Sequence, residues 1–577
     1  MPDPTPSNCP LPLRAADFAT LTDALDYAAR SERGLNFHSG RGDLVEVLPY
    51  AALREQARSL ARRMLGAGFR PGERIALIAE TDGDFVRAFC ACACAGLVPV
   101  PMPLPLAFGG REGYVAHIRG MLRAARVAAA LAPAALVAWV AEAAEGLGLR
   151  AIGDLSVFDR APEDGGPLPQ AGPDDVAYLQ FSSGSTRFPL GAAVTHRALL
   201  ANARAIIEHG LRIAAGDRCV SWLPFYHDMG LVGFLLTPLA VQISVDYLPT
   251  REFARRPLTW LSLISRNRGT LSFSPSFGYE LCARRAATLV PEGLDLSCWR
   301  AAGIGGDMIR PHILAGFAEA FAPHGFDRRV FVPSYGMAEA TLAVGFAPLD
   351  TGVTVDRVDM DRLEDEGTAA EPRGDGARAR DFVLCGPPLP GHAAEVRAED
   401  GTVVGERRLG RIFVRGPSLM RGYVNRPEET ARVLSPDGWL DTGDLGYRTG
   451  GQLVITGRAK DLIIVNGRNI WPQDLEWSAE RVDGLRSGDA AAFSIDHGDA
   501  ERITVLVHCR TTDPAARAAL KAAVAGALRA EHGAEADVHL VPPHSLPQTS
   551  SGKLSRSRAR QLFLAGAFGA GALGAGP

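Results

Sequence analysis

The chain has 577 residues, too many for one hydrophobic core, so two or more domains are expected. Hydrophobic residues make up 47% and charged residues 22%, with a net charge of −4, which removes any electrostatic ground for a nucleic-acid partner. No run of about 18 apolar residues occurs and no basic segment leads into an apolar one, so neither an integral membrane protein nor a secreted one is expected, and a cytoplasmic, reducing setting is read.

Residues 1 to about 20 are Pro-rich and read as an extended lead-in. Leu53, Ala57, Leu60, Ala61 and Met64 then recur at helical spacing. Arg74 to Ala79 reads as a buried strand, a helix follows over 84–96, and Val98-Pro99-Val100-Pro101 ends that unit. Cys90, Cys92 and Cys94 alternate with alanines; none of the nine cysteines forms a paired Cys-x-x-Cys motif, so they read as small buried residues and not as metal ligands. Strands over 176–181 and 192–195 and a helix over 197–209 continue the alternation to about residue 345. This pattern predicts a large layered α/β domain.

Residues 351–381 break the pattern, with many Asp, Glu, Arg and Gly and few large apolar residues after Leu363, and read as an exposed insertion or mobile loop. Residues 382–456 are β-rich, with frequent Gly and Pro. A strand over 462–465, a helix near 473–481, a strand over 503–508 and a helix over 514–531 predict a small α+β domain. The boundaries expected are 1–456 for the large domain, 457–461 for a hinge, 462–564 for a mobile small domain, and 565–577 for a disordered Gly/Ala tail.

Two segments carry chemistry. The loop Ser182 to Gly191 offers hydroxyls from Ser182, Ser183, Ser185 and Thr186, with Gly184 and Gly191 permitting close backbone approach, and suits an anion. A strand, Ala192 to Thr195, follows it where a Walker A loop requires a helix. Far downstream, Lys553 sits in Thr549-Ser550-Ser551-Gly552-Lys553.

With Tyr178 to Thr186, Trp222 to Leu231, Ser334 to Leu342, Gly438 to Leu445, Gly457 to Asp461 and Gly467 to Glu476, these segments make an ordered set spanning roughly residues 20 to 560. That set resembles the adenylate-forming superfamily of acyl-CoA synthetases, peptide-synthetase adenylation domains and luciferases, and most of all its fatty acyl-AMP ligase branch. The resemblance implies activation of a medium- or long-chain fatty acid by ATP and Mg²⁺ to acyl-AMP, with release of pyrophosphate. Transfer to the phosphopantetheine thiol of a separate acyl carrier protein follows, in polyketide, lipopeptide or lipid biosynthesis. It implies that Ser182, Ser183, Gly184, Ser185 and Thr186 wrap the phosphates. Glu339 and Thr186 hold Mg²⁺, and Gly305, Gly306, Asp307, Ser334, Tyr335, Gly336 and Met337 line the nucleotide pocket. Asp444 and Arg458 reach the ribose or phosphate, and His227 and Asp228 flank the acyl carboxylate. Lys460 is the hinge and Lys553 bridges the reacting oxygens. The chain departs from the family at Leu190, where a lysine is usual, and at Gly306-Asp307, where relatives read Ala-Glu. The branch carries an insertion near 351–381 that restricts the small domain against CoA. A fatty acyl-CoA ligase and a catalytically impaired nucleotide- or acyl-binding protein are the alternative readings.

Overall fold

The computed structural model describes residues 11–105, 110–181, 190–374, 378–465, 468–496, 501–549 and 553–568. Its α/β class is the one expected. A four-stranded parallel sheet has the order Val98–Met102, Arg74–Ile78, Ala129–Leu131, Ala151–Gly153. Val98–Met102, read from sequence as a terminating segment, is a strand. Its position at the sheet edge lets Pro99 and Pro101 lack an N–H without breaking a ladder. Helix Gly83–Cys94 starts on Asp82, whose side chain accepts from Phe85 N, and Cys90, Cys92 and Cys94 are all buried.

An eight-stranded sheet forms the centre of the molecule. Its parallel middle runs Ala301–Ile304, Leu271–Ser274, Arg218–Ser221, Ser244–Tyr247, closed by antiparallel strands at both edges. The β-rich stretch becomes a four-stranded antiparallel sheet, Ala393–Arg397, Gly410–Arg415, Leu440–Thr449 and Gln452–Arg458. After a short turn at Ala459–Asp461, a separate core of Ile463, Leu475, Val505, Val524, Leu528 and Val538 builds the last unit. That unit holds a three-stranded sheet and helices Pro472–Glu480, Pro514–His532 and Arg556–Leu564.

Two expectations are corrected. Residues 351–381 are not an exposed loop: strands Val355–Asp359 and Ala379–Val383 pair around helix Met360–Glu366. Val358, Met360, Leu363 and Phe382 pack on Tyr447, Val454 and Trp471 in a buried cluster. The charges that suggested exposure are paired: Glu364 meets Arg378 and Arg468, and Arg380 meets Asp474. In the tail, Phe568 packs against the cluster containing Leu546 and Phe563, while 569–577 lie outside the described residues. Among the described residues no helix is long and apolar enough to cross a membrane.

Candidate active site

The parallel strands of the central sheet deliver most of the site from their carboxyl ends, the usual place for a ligand crevice in an α/β sheet. Past Arg218–Ser221 come His227 and Asp228. Past Ala301–Ile304 come Gly305, Gly306 and Asp307, and the end of Phe331–Gly336 supplies Ser334, Tyr335 and Gly336, with Met337 and Glu339 next. The antiparallel sheet adds Asp444 and Arg458, the turn after it adds Lys460, and the last unit adds Lys553. All fourteen line one cavity of about 1080 Å³. Leu190 lines it too. Ser182, Ser183, Gly184, Ser185 and Thr186 lie outside the described residues.

Asp444 is buried, and its Oδ2 accepts from the Tyr335 hydroxyl at 2.7 Å, while Arg458 Nε stands 3.3 Å from Oδ1. Burial pushes the Asp444 carboxyl up, and Arg458 and Tyr335 oppose the shift. Glu339 is also buried; the Tyr423 hydroxyl donates to its Oε1 at 2.8 Å, and burial raises its carboxyl. Asp228 is buried as well, yet His227 Nδ1 at 2.7 Å and the Lys553 ammonium hold its carboxyl below the usual range. Asp307 accepts from Ser276 N and Oγ at 3.4 and 3.3 Å, and burial raises it against the pull of Lys553. Burial lowers the Lys553 ammonium, with Asp307 and Asp228 opposing.

Local geometry fixes these groups. Lys553 is tied to Thr549, whose N donates to the Lys553 carbonyl at 2.7 Å and whose Oγ1 accepts from the Lys553 N–H at 3.2 Å. After Glu339, Thr341 adopts φ +69° and ψ −57°, and Leu342 N donates to Ala340 O at 2.8 Å across it. That is a strained three-residue turn, held by Thr341 Oγ1 donating to Ser418 O at 2.6 Å. A Cβ on Gly336 would lie 1.8 Å from the Leu342 carbonyl oxygen, backbone that cannot yield. Gly336→Ala is expected to destabilise the protein by about 3 kcal/mol or more, read as a lower midpoint in urea unfolding.

Tyr423, which orients Glu339, and Ser276, which holds Asp307, were missed from sequence. Neither lies in a motif with its partner, 84 and 31 residues away. The same holds for Arg556, three residues past Lys553, which pairs with Asp461 and Glu476.

Four carboxylates, Asp228, Asp307, Glu339 and Asp444, thus line one crevice with the Lys553 ammonium and the Arg458 guanidinium. A family model described as AMP-binding enzyme matches residues 37–424, and the chain belongs to that family. It is a ligase. It is 56% identical to a Caulobacter vibrioides protein provisionally named an acyl-CoA synthetase, over 98% of this chain and 99% of that one. It is 31% identical to the long-chain-fatty-acid–AMP ligase FadD32 of Mycolicibacterium smegmatis, over 93% and 92% of the two chains. Among solved structures, a chain from structural and functional studies of fatty acyl-adenylate ligases from E. coli and L. pneumophila superimposes with a TM-score of 0.91 at 48% identity. That match covers 96% of this chain and 99% of that one.

Proposed function

We propose that the protein activates a fatty acid as its acyl-adenylate and passes the acyl group to the thiol of a separate carrier protein. The observation that carries this reading is the cavity itself: Lys553, Asp444 and Glu339 line it together with the apolar Phe234, Leu271 and Phe273. The polar part suits a nucleotide and the apolar part a hydrocarbon tail. The names of similar proteins agree: FadD32 is a fatty-acid–AMP ligase. JamA of Moorena producens, 35% identical over 69% of each chain, is a medium-chain-fatty-acid–[acyl-carrier-protein] ligase.

In the first step a carboxylate oxygen attacks the α-phosphorus of ATP; the bond to the β-bridging oxygen breaks and pyrophosphate leaves. The protein's part is to align the reactants and to neutralise developing negative charge. Lys553 places its ammonium against the carboxylate and α-phosphate oxygens. Asp444 accepts from the ribose hydroxyls, and Arg458 opposes the upward push of burial on that carboxylate. Tyr335 offers a face to the adenine, with Gly305, Gly306, Asp307, Ser334, Gly336 and Met337 around it. His227 and Asp228 wall the acyl carboxylate, and Ser182 to Thr186 close on the phosphates. Glu339 fits Mg²⁺: it is a buried carboxylate oriented by Tyr423, and a hard cation prefers oxygen and keeps its waters. When bound with Glu339 and Thr186, Mg²⁺ supplies charge neutralisation on the phosphates. In the second step the thiol attacks the acyl carbon and AMP departs. Rotation at Lys460, within hinge 457–461, carries Lys553 away with the small domain, 462–564, and admits the thiol.

The carrier is favoured over CoA by the name of the carrier-protein ligase among similar proteins; the 351–381 segment contacts the small unit through Arg380–Asp474 and the Trp471 cluster. With ATP, Mg²⁺, a fatty acid and CoA, mass spectrometry is expected to find acyl-AMP and no acyl-CoA. Stoichiometric acyl-CoA would move the protein to the CoA ligases. A cytoplasmic location fits both products.

A further inference from the structure

We infer, resting on the fatty-acid reading above, that a charged floor under the tunnel limits the substrate to acids of roughly ten to twelve carbons. The measure comes from strand register and from where the polar groups resume.

The reacting carboxyl lies within reach of Lys553, and a Cβ built on Gly306 would stand 3.9 Å from its Nζ. From Gly305 the tunnel descends along the face of the central sheet. Gly303 makes room for Phe273, because a Cβ there would lie 2.0 Å from the ring. Farthest back along the strands from Gly305, the lining includes the register partners Leu271 and Cys219, and Ile206, Leu211 and Ile213 line the same cavity. Leu271 pairs with Ala301, four residues before Gly305. At about 3.3 Å per strand residue the tunnel is thus roughly 13 Å deep. Carbon–carbon bonds of about 1.5 Å in a zigzag advance roughly 1.25 Å each, so about ten carbons fit beyond the carboxyl.

One residue below the Leu271–Ala301 pair stand Thr270 and Arg300, and Asp217 lies just before strand Arg218–Ser221. Thr270 Oγ1 donates to Asp217 Oδ1 at 2.7 Å. Arg300 Nε donates to Asp217 Oδ1 at 2.7 Å, and its Nη1 donates to the carbonyl of Leu211, itself a lining residue, at 2.9 Å. Asp217 is buried. A longer tail would have to strip the buried Asp217 carboxylate of its partners, which costs far more than the added methylene gains.

The test is kcat/KM for adenylate formation with saturated acids of six to eighteen carbons, for the wild type and two variants. Within the tunnel each methylene is expected to raise kcat/KM about fourfold. The rise should stop at ten to twelve carbons and fall at least tenfold by sixteen. Leu271→Ala, which deepens the tunnel, should move the optimum to longer acids; Cys219→Leu, which fills it, should move it to shorter ones. Opposite shifts exclude a general loss of stability as the cause. A wild-type profile that stays level to eighteen carbons, or variants that leave the optimum in place, would overturn the floor while leaving fatty-acid activation intact. Adenylate formed with no straight-chain acid at all would overturn the fatty-acid reading itself.

Discussion

Lys553→Ala is expected to lower the rate of adenylate formation by on the order of 10²–10³-fold, the usual loss for one preorganised electrostatic contact at a developing charge. Binding of ATP and the midpoint of thermal unfolding should change little, since Lys553 makes its described hydrogen bonds through backbone atoms. The rate should also carry a lysine signature in pH. Burial lowers the ammonium from its ordinary 10.5, and the charged form is the active one. Activity is therefore lost as pH rises through a value below 10.5, while stability is not. Lys553→Arg retains the charge and should remove that alkaline limb, because guanidinium stays protonated. Stopped-flow or quenched measurement of acyl-AMP across pH checks both statements. A loss under about tenfold for Lys553→Ala would show that transition-state charge is neutralised elsewhere.

The second large effect is structural. Arg556 donates from Nε and Nη2 to Glu476 at 2.7 Å each and from Nη1 to Asp461 at 3.0 Å. Glu476, 4% exposed, also accepts from Ala492 N at 3.0 Å. This network joins the turn at Ala459–Asp461, helix Pro472–Glu480 and the start of helix Arg556–Leu564, three residues past Lys553. Arg556→Ala leaves a buried carboxylate without its partner and is expected to cost about 3–5 kcal/mol. Urea unfolding should show the loss. The double variant Arg556→Leu with Glu476→Leu should recover most of it, because removing both charges removes the desolvation cost as well. Equal destabilisation in both variants would mean that packing, not charge, holds this junction.

The site was legible where chemistry is local in sequence. Tyr335, Glu339, Asp444 and Lys553 each stand in a short motif, and each reached the same cavity. Partners set by tertiary contact were not legible. Tyr423 meets Glu339 from the loop after Gly410–Arg415, where it bridges to Ala192, and no periodicity marks that. The strand Val98–Met102 was hidden by its prolines, which an edge position tolerates. The 351–381 segment was misread because its inward face needs only Val358, Met360, Leu363 and Phe382, spread among residues whose charges are neutralised by distant arginines and carboxylates. The tunnel floor is of the same kind: Asp217, Thr270 and Arg300 come together through strand register, not sequence.

The central claim is that this crevice activates a fatty acid with ATP. Exchange of labelled pyrophosphate into ATP, measured with and without decanoic acid, tests it most directly. Exchange is expected to depend on the acid and on Mg²⁺ and to collapse in Lys553→Ala. Exchange that ignores fatty acids, or none with any of them, would contradict it.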